Sequence, residues 1–256
     1  MENWITENST AIIAGIISSV IVLLLQVFTT SIISSLTFFL TNRLTLSRIY
    51  GIKDRGSIYI ASGELPTTSD GSNIASTIKS PDSMAANYIV ETLQEIYKNS
   101  NIEHIYTGID KEIQSIRENI ICVGGPKHNS TTKHFLEYLP SNIGFDHNYN
   151  LQIYNDVYHK GENNVDYGLL AKIKNPYADD KYIFIVAGCG THGVLASSYL
   201  ITNQKYFPKL KNDLIKKLGQ FSIKKNEFVA VVKCNTYNNE IANNEIKFIK
   251  RIKNGK

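Results

Sequence analysis

The chain has 256 residues, a net charge of +4 and three cysteines far apart at Cys122, Cys189 and Cys234. That length allows one domain of ordinary size plus an appendage. The mild charge, from Lys scattered over the last third, gives no dedicated nucleic-acid surface, and the cysteines have neither the density of a disulfide framework nor the spacing of a zinc site. Specific nucleic-acid binding is not expected, and reduced thiols fit a cytosolic compartment.

From Asn8 to Asn42 no residue is charged, and most are apolar or hydroxylated. About 20 apolar residues cross a bilayer as a helix. This run would extend roughly 50 Å at 1.5 Å per residue, too short for two spans with a turn. It reads as one tilted transmembrane helix over residues 8–42, densest from Ala11 to Phe28. A cleaved signal peptide needs a basic leader, whereas Glu2 and Glu7 precede this run. Arg43, Arg48, Lys53 and Arg55 follow it in a basic linker, residues 43–55. The positive-inside bias puts that flank in the cytoplasm and the N-terminus outside. The expectation is a single-pass protein of the cell membrane whose partners are the lipid bilayer and other copies packed through the helix.

Residues 56–256 read as a cytosolic domain. A first strand runs from Ser57 to Ala61 and ends in Ser62-Gly63-Glu64. A polar loop, residues 65–80, is long for a connection in a compact domain. Apolar residues at helical spacing from Met84 to Lys98 predict a helix opened by Ser80-Pro81-Asp82. Ile102 to Thr107 is a second strand, and Lys111 to Glu118 a short helix. The apolar run Ile120 to Val123 predicts a strand buried on both faces. It ends in Gly124-Gly125-Pro126, followed by a helix to Leu139 capped by Ser130, Thr131 or Thr132. Leu151 to Tyr158 and Tyr167 to Ile173 flank a polar stretch and read as an inserted β-hairpin. Tyr182 to Ala187 is a strand, Gly188-Cys189-Gly190-Thr191-His192-Gly193 its turn, and a small-residue helix follows. A basic helix from Leu210 to Leu218, a strand from Glu227 to Cys234 and a Lys-rich helical tail from Asn243 complete the pattern. Strand and helix alternate, which predicts an α/β fold with a mostly parallel sheet.

Three strands thus end in glycine turns. In a parallel sheet they share the carboxyl edge, where ligands of open α/β sheets bind. Backbone N–H groups in such turns, with helix N-termini behind them, suit phosphate or carboxylate. The candidate ligand-binding residues are Ser62, Gly63, Gly124, Gly125, Lys127, Gly188, Gly190, Thr191, His192 and Gly193. The spacing G-x-G-x-x-G at 188–193 matches part of the dinucleotide fingerprint, but it comes late in the domain. The acid expected some 20 residues on is also missing, so a conventional NAD dehydrogenase is not indicated.

The same residues offer other chemistry. Cys189 and His192 are close in sequence, yet a nucleophile and base also need an orienting third group, and Cys189 equally reads as a small packed hydrophobe. His128, His192 and Asp166 lack metal-ligand spacing, so no metal is assigned. Glu64, with Asp70 and Asp82 downstream, is the acid nearest a glycine turn. It reads either as a solvated loop residue or as the catalytic carboxylate of N-glycosidic cleavage of NAD or a nucleoside.

Taken together, SIYIASGE, IICVGGPKHNSTT, DYGLLAKIKNP and IFIVAGCGTHGVLASSYL resemble Rossmann-like nucleotide-binding domains, in particular the deoxyribosyltransferase-like, TIR-like and lysine-decarboxylase-like branches of bacterial conflict systems. The resemblance covers Gly56 to Cys234. The P-G-G-x-G-T-x-x-E signature of the last branch is absent. The resemblance implies a mostly parallel Rossmann-like sheet and a membrane-anchored sensor or effector domain that binds a nucleotide or other anionic small molecule. Two alternatives stay open: the N-glycosidic enzyme, and a ligand-free scaffold tethering a partner to the membrane. No cofactor is named by the sequence.

Overall fold

A computed structural model describes residues 17–27, 29, 43–53, 56–63, 81–107, 117–159, 164–202, 208–219, 226–238 and 240–252. The chain divides into two units, residues 1–45 and 46–256. In the first, residues 17–27 are helical, and the side chains of Ile17, Val20 to Leu25 and Val27 are exposed. Among the described residues no helix is long and apolar enough to cross a membrane. Nearly all the rest of the expected span, residues 8–42, lies outside the described residues.

The second unit takes in part of the stretch that reads as a linker. Leu46, Ile49, Tyr50 and Ile52 are buried in its core, at the end of helix α1 (residues 43–50) and just beyond it. The Tyr50 hydroxyl donates to the Ile201 carbonyl at 2.7 Å. Lys172, fully buried, donates from Nζ to the Ile49 carbonyl at 2.8 Å. That carbonyl belongs to the last turn of a helix, where no intrahelical donor reaches it. The ammonium also lies 4.2 Å from the centroid of the Tyr182 ring. The polar head among apolar side chains is thus met by a carbonyl and by aromatic faces.

The main sheet has seven strands in the order β10-β9-β7-β8-β3-β1-β2. These are β1 (Ser57–Gly63), β2 (Asn101–Thr107), β3 (Asn119–Val123), β7 (Val165–Lys174), β8 (Tyr182–Gly188), β9 (Glu227–Tyr237) and β10 (Glu240–Ile252). Strands β2, β1, β3 and β8 run parallel, while β7 is antiparallel to β8 and β9, and β10 to β9. The sheet is therefore mixed, not mostly parallel. The reason is length. The connection from Lys174 to Tyr182 is too short for the dozen or more residues of a crossover, so the chain returns antiparallel. The tail expected to be helical is strand β10 instead. It is entered through a tight turn in which Asn238 has φ 50°, a backbone state that Asn tolerates in hairpins.

A second sheet has three strands, β4 (Ile143–Phe145), β5 (Leu151–Ile153) and β6 (Asp156–Tyr158). The inserted hairpin is β5–β6, turned at Tyr154 with φ 55°. The predicted pairing of Leu151–Tyr158 with Tyr167–Ile173 does not form, because β7 is taken into the main sheet between β8 and β9. One face of the main sheet packs on α1, α2 (Pro81–Ile96), α4 (Thr191–Ser198) and α5 (Pro208–Leu218). The other packs on α3 (Ser130–Leu136) and the small sheet. Alternate residues of β1 serve the two layers, Ile58 and Ile60 one, Tyr59 and Ala61 the other, as the pleat requires. The short helix expected at 111–118 lies almost wholly outside the described residues.

Candidate functional site

Strands β8, β3 and β1 are neighbours and parallel, so their glycine turns meet at one edge. The register pairs Ser62 with Val123, and Val123 with Val186. The Gly124 N–H donates to the Val186 carbonyl at 2.9 Å. A Cβ on Gly125 would stand 3.2 Å from the Gly188 carbonyl oxygen. From β1 the chain enters α2 on one face, and from β3 it enters α3 on the other. A crevice opens where helices diverge in this way.

The chain fills much of that crevice itself. Asn129, fully buried, is the N-cap of α3: its Oδ1 accepts from the Thr132 N–H at 3.0 Å. Its Nδ2 donates to the carbonyls of Ala61 and Val123 at 2.9 and 3.0 Å. One amide therefore ties the ends of β1 and β3 to the start of α3. The predicted caps Thr131 and Thr132 lie inside the helix, and the Thr132 hydroxyl donates to the Gly124 carbonyl. The His128 carbonyl oxygen approaches so closely that a Cβ on Gly63 would lie 2.4 Å from it.

The third turn is filled as well, by a charge. Asp166 on β7 is buried at 4% exposure. Its carboxylate accepts from the N–H groups of Gly190 at 3.0 Å and Gly193 at 2.8 Å, and from its own neighbour Tyr167 at 2.8 Å. The helix N-terminus that suits an anion already holds one, supplied by the chain. Gly193 is required here because a Cβ would lie 2.2 Å from the Tyr167 carbonyl oxygen. Gly188 and Gly193 leave no room for a Cβ, and the N–H groups of Gly190 and Gly193 are bonded to Asp166. Thr191 is exposed and His192 half-buried beside them. Cys189 donates to the Tyr158 carbonyl at 3.4 Å, and burial pushes its thiol up to about 12. It is a packed thiol, not a thiolate nucleophile.

Two features at the edge have no such partner group among the described residues. Asp82, in the first turn of α2, stands with Oδ2 3.8 Å from where a Gly124 Cβ would be. Its Oδ1 is buried without a hydrogen-bond partner among the described residues. Burial, and then the charge of Asp166, raise this carboxyl to about 7. The other feature is a cavity of about 610 Å³ beyond the second turn, between α3 and the small sheet. Lys127, Lys133 and His147 line it, with Phe145, Tyr149, Glu137 and Asp146. Lys127 is exposed, with its ammonium 5.7 Å from the Tyr149 ring centroid. Asp146 is committed to its own loop, accepting from Asn148 and Asn150, and these bonds hold its carboxyl below the usual range.

Glu64, the candidate catalytic acid, lies outside the described residues. Among the described residues no three His, Cys, Asp or Glu side chains are grouped to hold a metal ion. In the sequence Asp82 stands out as a helix start and as an acid downstream of Glu64, and Asp166 only as one member of a metal set that lacks spacing. A helix-opening acid following a glycine-ended strand was the available signal for Asp82. Asp166 carries none, since its partners lie some 24 to 27 residues away in the chain. No family model matches the chain, and neither does any curated protein or solved structure.

Proposed function

We propose that the chain is a single-pass membrane protein whose α/β domain, of Rossmann-like type, lies on the cytoplasmic side and binds a nucleotide or another anionic small molecule. The cavity between α3 and the small sheet carries this reading. Its volume of about 610 Å³ lies within the range of sites for small ligands. Two lysines and a histidine meet two aromatic rings there, the combination that holds a phosphate and a planar base. The second glycine turn, Gly124-Gly125, leads into it through Pro126 and Lys127, while the third is closed by Asp166. The uncharged run 8–42 with its basic flank supports the anchor and its direction.

Calorimetry on the detergent-solubilised full chain, against nucleotides and cyclic nucleotides, tests the ligand. Binding that weakens about tenfold or more when Lys127 and Lys133 are both replaced by Ala supports it. No heat at millimolar ligand, with the circular dichroism of a folded protein, rejects it. A reporter active only in the cytoplasm, fused after Lys256, tests the orientation.

A further inference from the structure

Parallel strands β1 and β2 bring together two side chains that are 42 positions apart. The register pairs Ile60 with His104 and Ser62 with Tyr106. Residues 60 and 62 face the same side of the sheet, so His104 sits one step along from Ser62 on that face. Ser62 Oγ and His104 Nε2 are 2.7 Å apart, hydrogen-bond distance for a hydroxyl and an imidazole. With the ring proton on Nδ1, Nε2 accepts the serine proton. The part of the ring that is covered lowers its affinity for a proton despite the exposed edge, which favours the neutral form, that of a base. The pair is also reachable: His104 is exposed and Ser62 partly so. It lies at the carboxyl edge of β1, while the first turn of α2 stands at the neighbouring β3 turn, with Asp82 Oδ2 3.8 Å from where a Gly124 Cβ would be.

We propose that Ser62 and His104 are a nucleophile and its general base for acyl transfer from a carboxylic ester. Ser62 Oγ bonds to the acyl carbon as its proton passes to His104 Nε2. The tetrahedral adduct breaks the bond to the leaving oxygen, and His104 returns the proton to that oxygen, releasing an alcohol. Water repeats the sequence on the acyl-serine and releases the carboxylic acid, leaving Ser62 and His104 as they began. This site lies on the α2 face of the sheet and is independent of the cavity beside α3.

The test is active-site labelling of the full chain in detergent with a fluorophosphonate, followed by peptide mass mapping. The expected result is one adduct on the peptide carrying Ser62, together with turnover of p-nitrophenyl acetate. Ser62→Ala removes both, and His104→Ala slows labelling roughly 100-fold, the lower range of general-base effects. No adduct on the wild-type chain, or an adduct on another residue, overturns the proposal without reference to any variant. An adduct whose rate is unchanged in a folded His104→Gln variant removes His104 as the base.

Discussion

Two carboxylates stand at the same sheet edge in opposite circumstances. Asp166 is buried and accepts three backbone N–H groups. Asp82 has a buried oxygen with no partner among the described residues. Both are next to glycine turns and helix starts in space. The first closes the β8–α4 turn, satisfying N–H groups that a helix start leaves unpaired. The second is left as a group whose protonation changes near neutrality. A glycine turn at a strand end therefore marks close backbone approach. Whether a ligand can enter depends on which side chain of the remaining fold reaches the turn first.

Asp166 carries the largest expected effect. Asp166→Ala strips charge-assisted bonds from the N–H groups of Gly190 and Gly193, of which Gly193 is buried. At about 1–3 kcal/mol for each of these two N–H groups left unpaired, a loss of about 2–6 kcal/mol is expected. Urea unfolding measures it. A loss below 1 kcal/mol would show that water or a neighbour replaces the carboxylate.

Next comes Asn129, the neutral counterpart that holds the β1/β3 end. Asn129→Ala removes two donated bonds and one helix cap and should cost about 2–4 kcal/mol. Asn129→Asp keeps the cap but turns a carboxylate toward the Ala61 and Val123 carbonyls. It should be no better than Ala at pH 8.

Asp82 should give the opposite sign. Its folded pKa is raised from 3.8 to about 7. Below pH 3.8 the carboxyl is neutral in both states and costs nothing. Between pH 4 and 7 the unfolded chain ionises and the folded one resists, so stability falls as pH rises, and the full cost stands above about pH 7. Three pKa units correspond to about 4 kcal/mol, and partial solvent contact reduces this to about 2–3. Asp82→Asn should therefore stabilise the protein at pH 8 and leave it nearly unchanged at pH 4. Equal destabilisation at both pH values would mean the carboxylate has a partner.

How far the sequence carried the fold follows from what each element depends on. The strands β1, β3, β8 and β9, and helix α2, show in apolar period and run length, which are local signals. The mixed direction of the sheet rests on one short connection, Lys174 to Tyr182, and on β7 being taken between β8 and β9. Both are decisions of tertiary pairing. The β10 strand was masked by Lys residues that suit a helix equally well. At the site, glycine positions were legible because backbone approach selects for them. Asp166 and His104 were not, since register alone sets their neighbours. Asn129 was passed over for Ser130 because both are good caps, and only the reach of its Nδ2 to two carbonyls separates them.

The smallest effect on stability belongs to Lys127, and that smallness is what makes it informative. Its side chain is exposed and carries one ring contact with Tyr149, worth about 0.5–1 kcal/mol at such a position. Lys127→Ala should leave unfolding within about that margin, in contrast to Asp166 and Asn129, which the fold has spent on its own closure. A lysine that stability does not need, beside a cavity and the second glycine turn, is free to serve a ligand. Calorimetry should then show weakened nucleotide binding at unchanged unfolding midpoint. If affinity and stability fall together by more than 2 kcal/mol, Lys127 is a structural residue, and the β3 turn is as closed as the β8 turn.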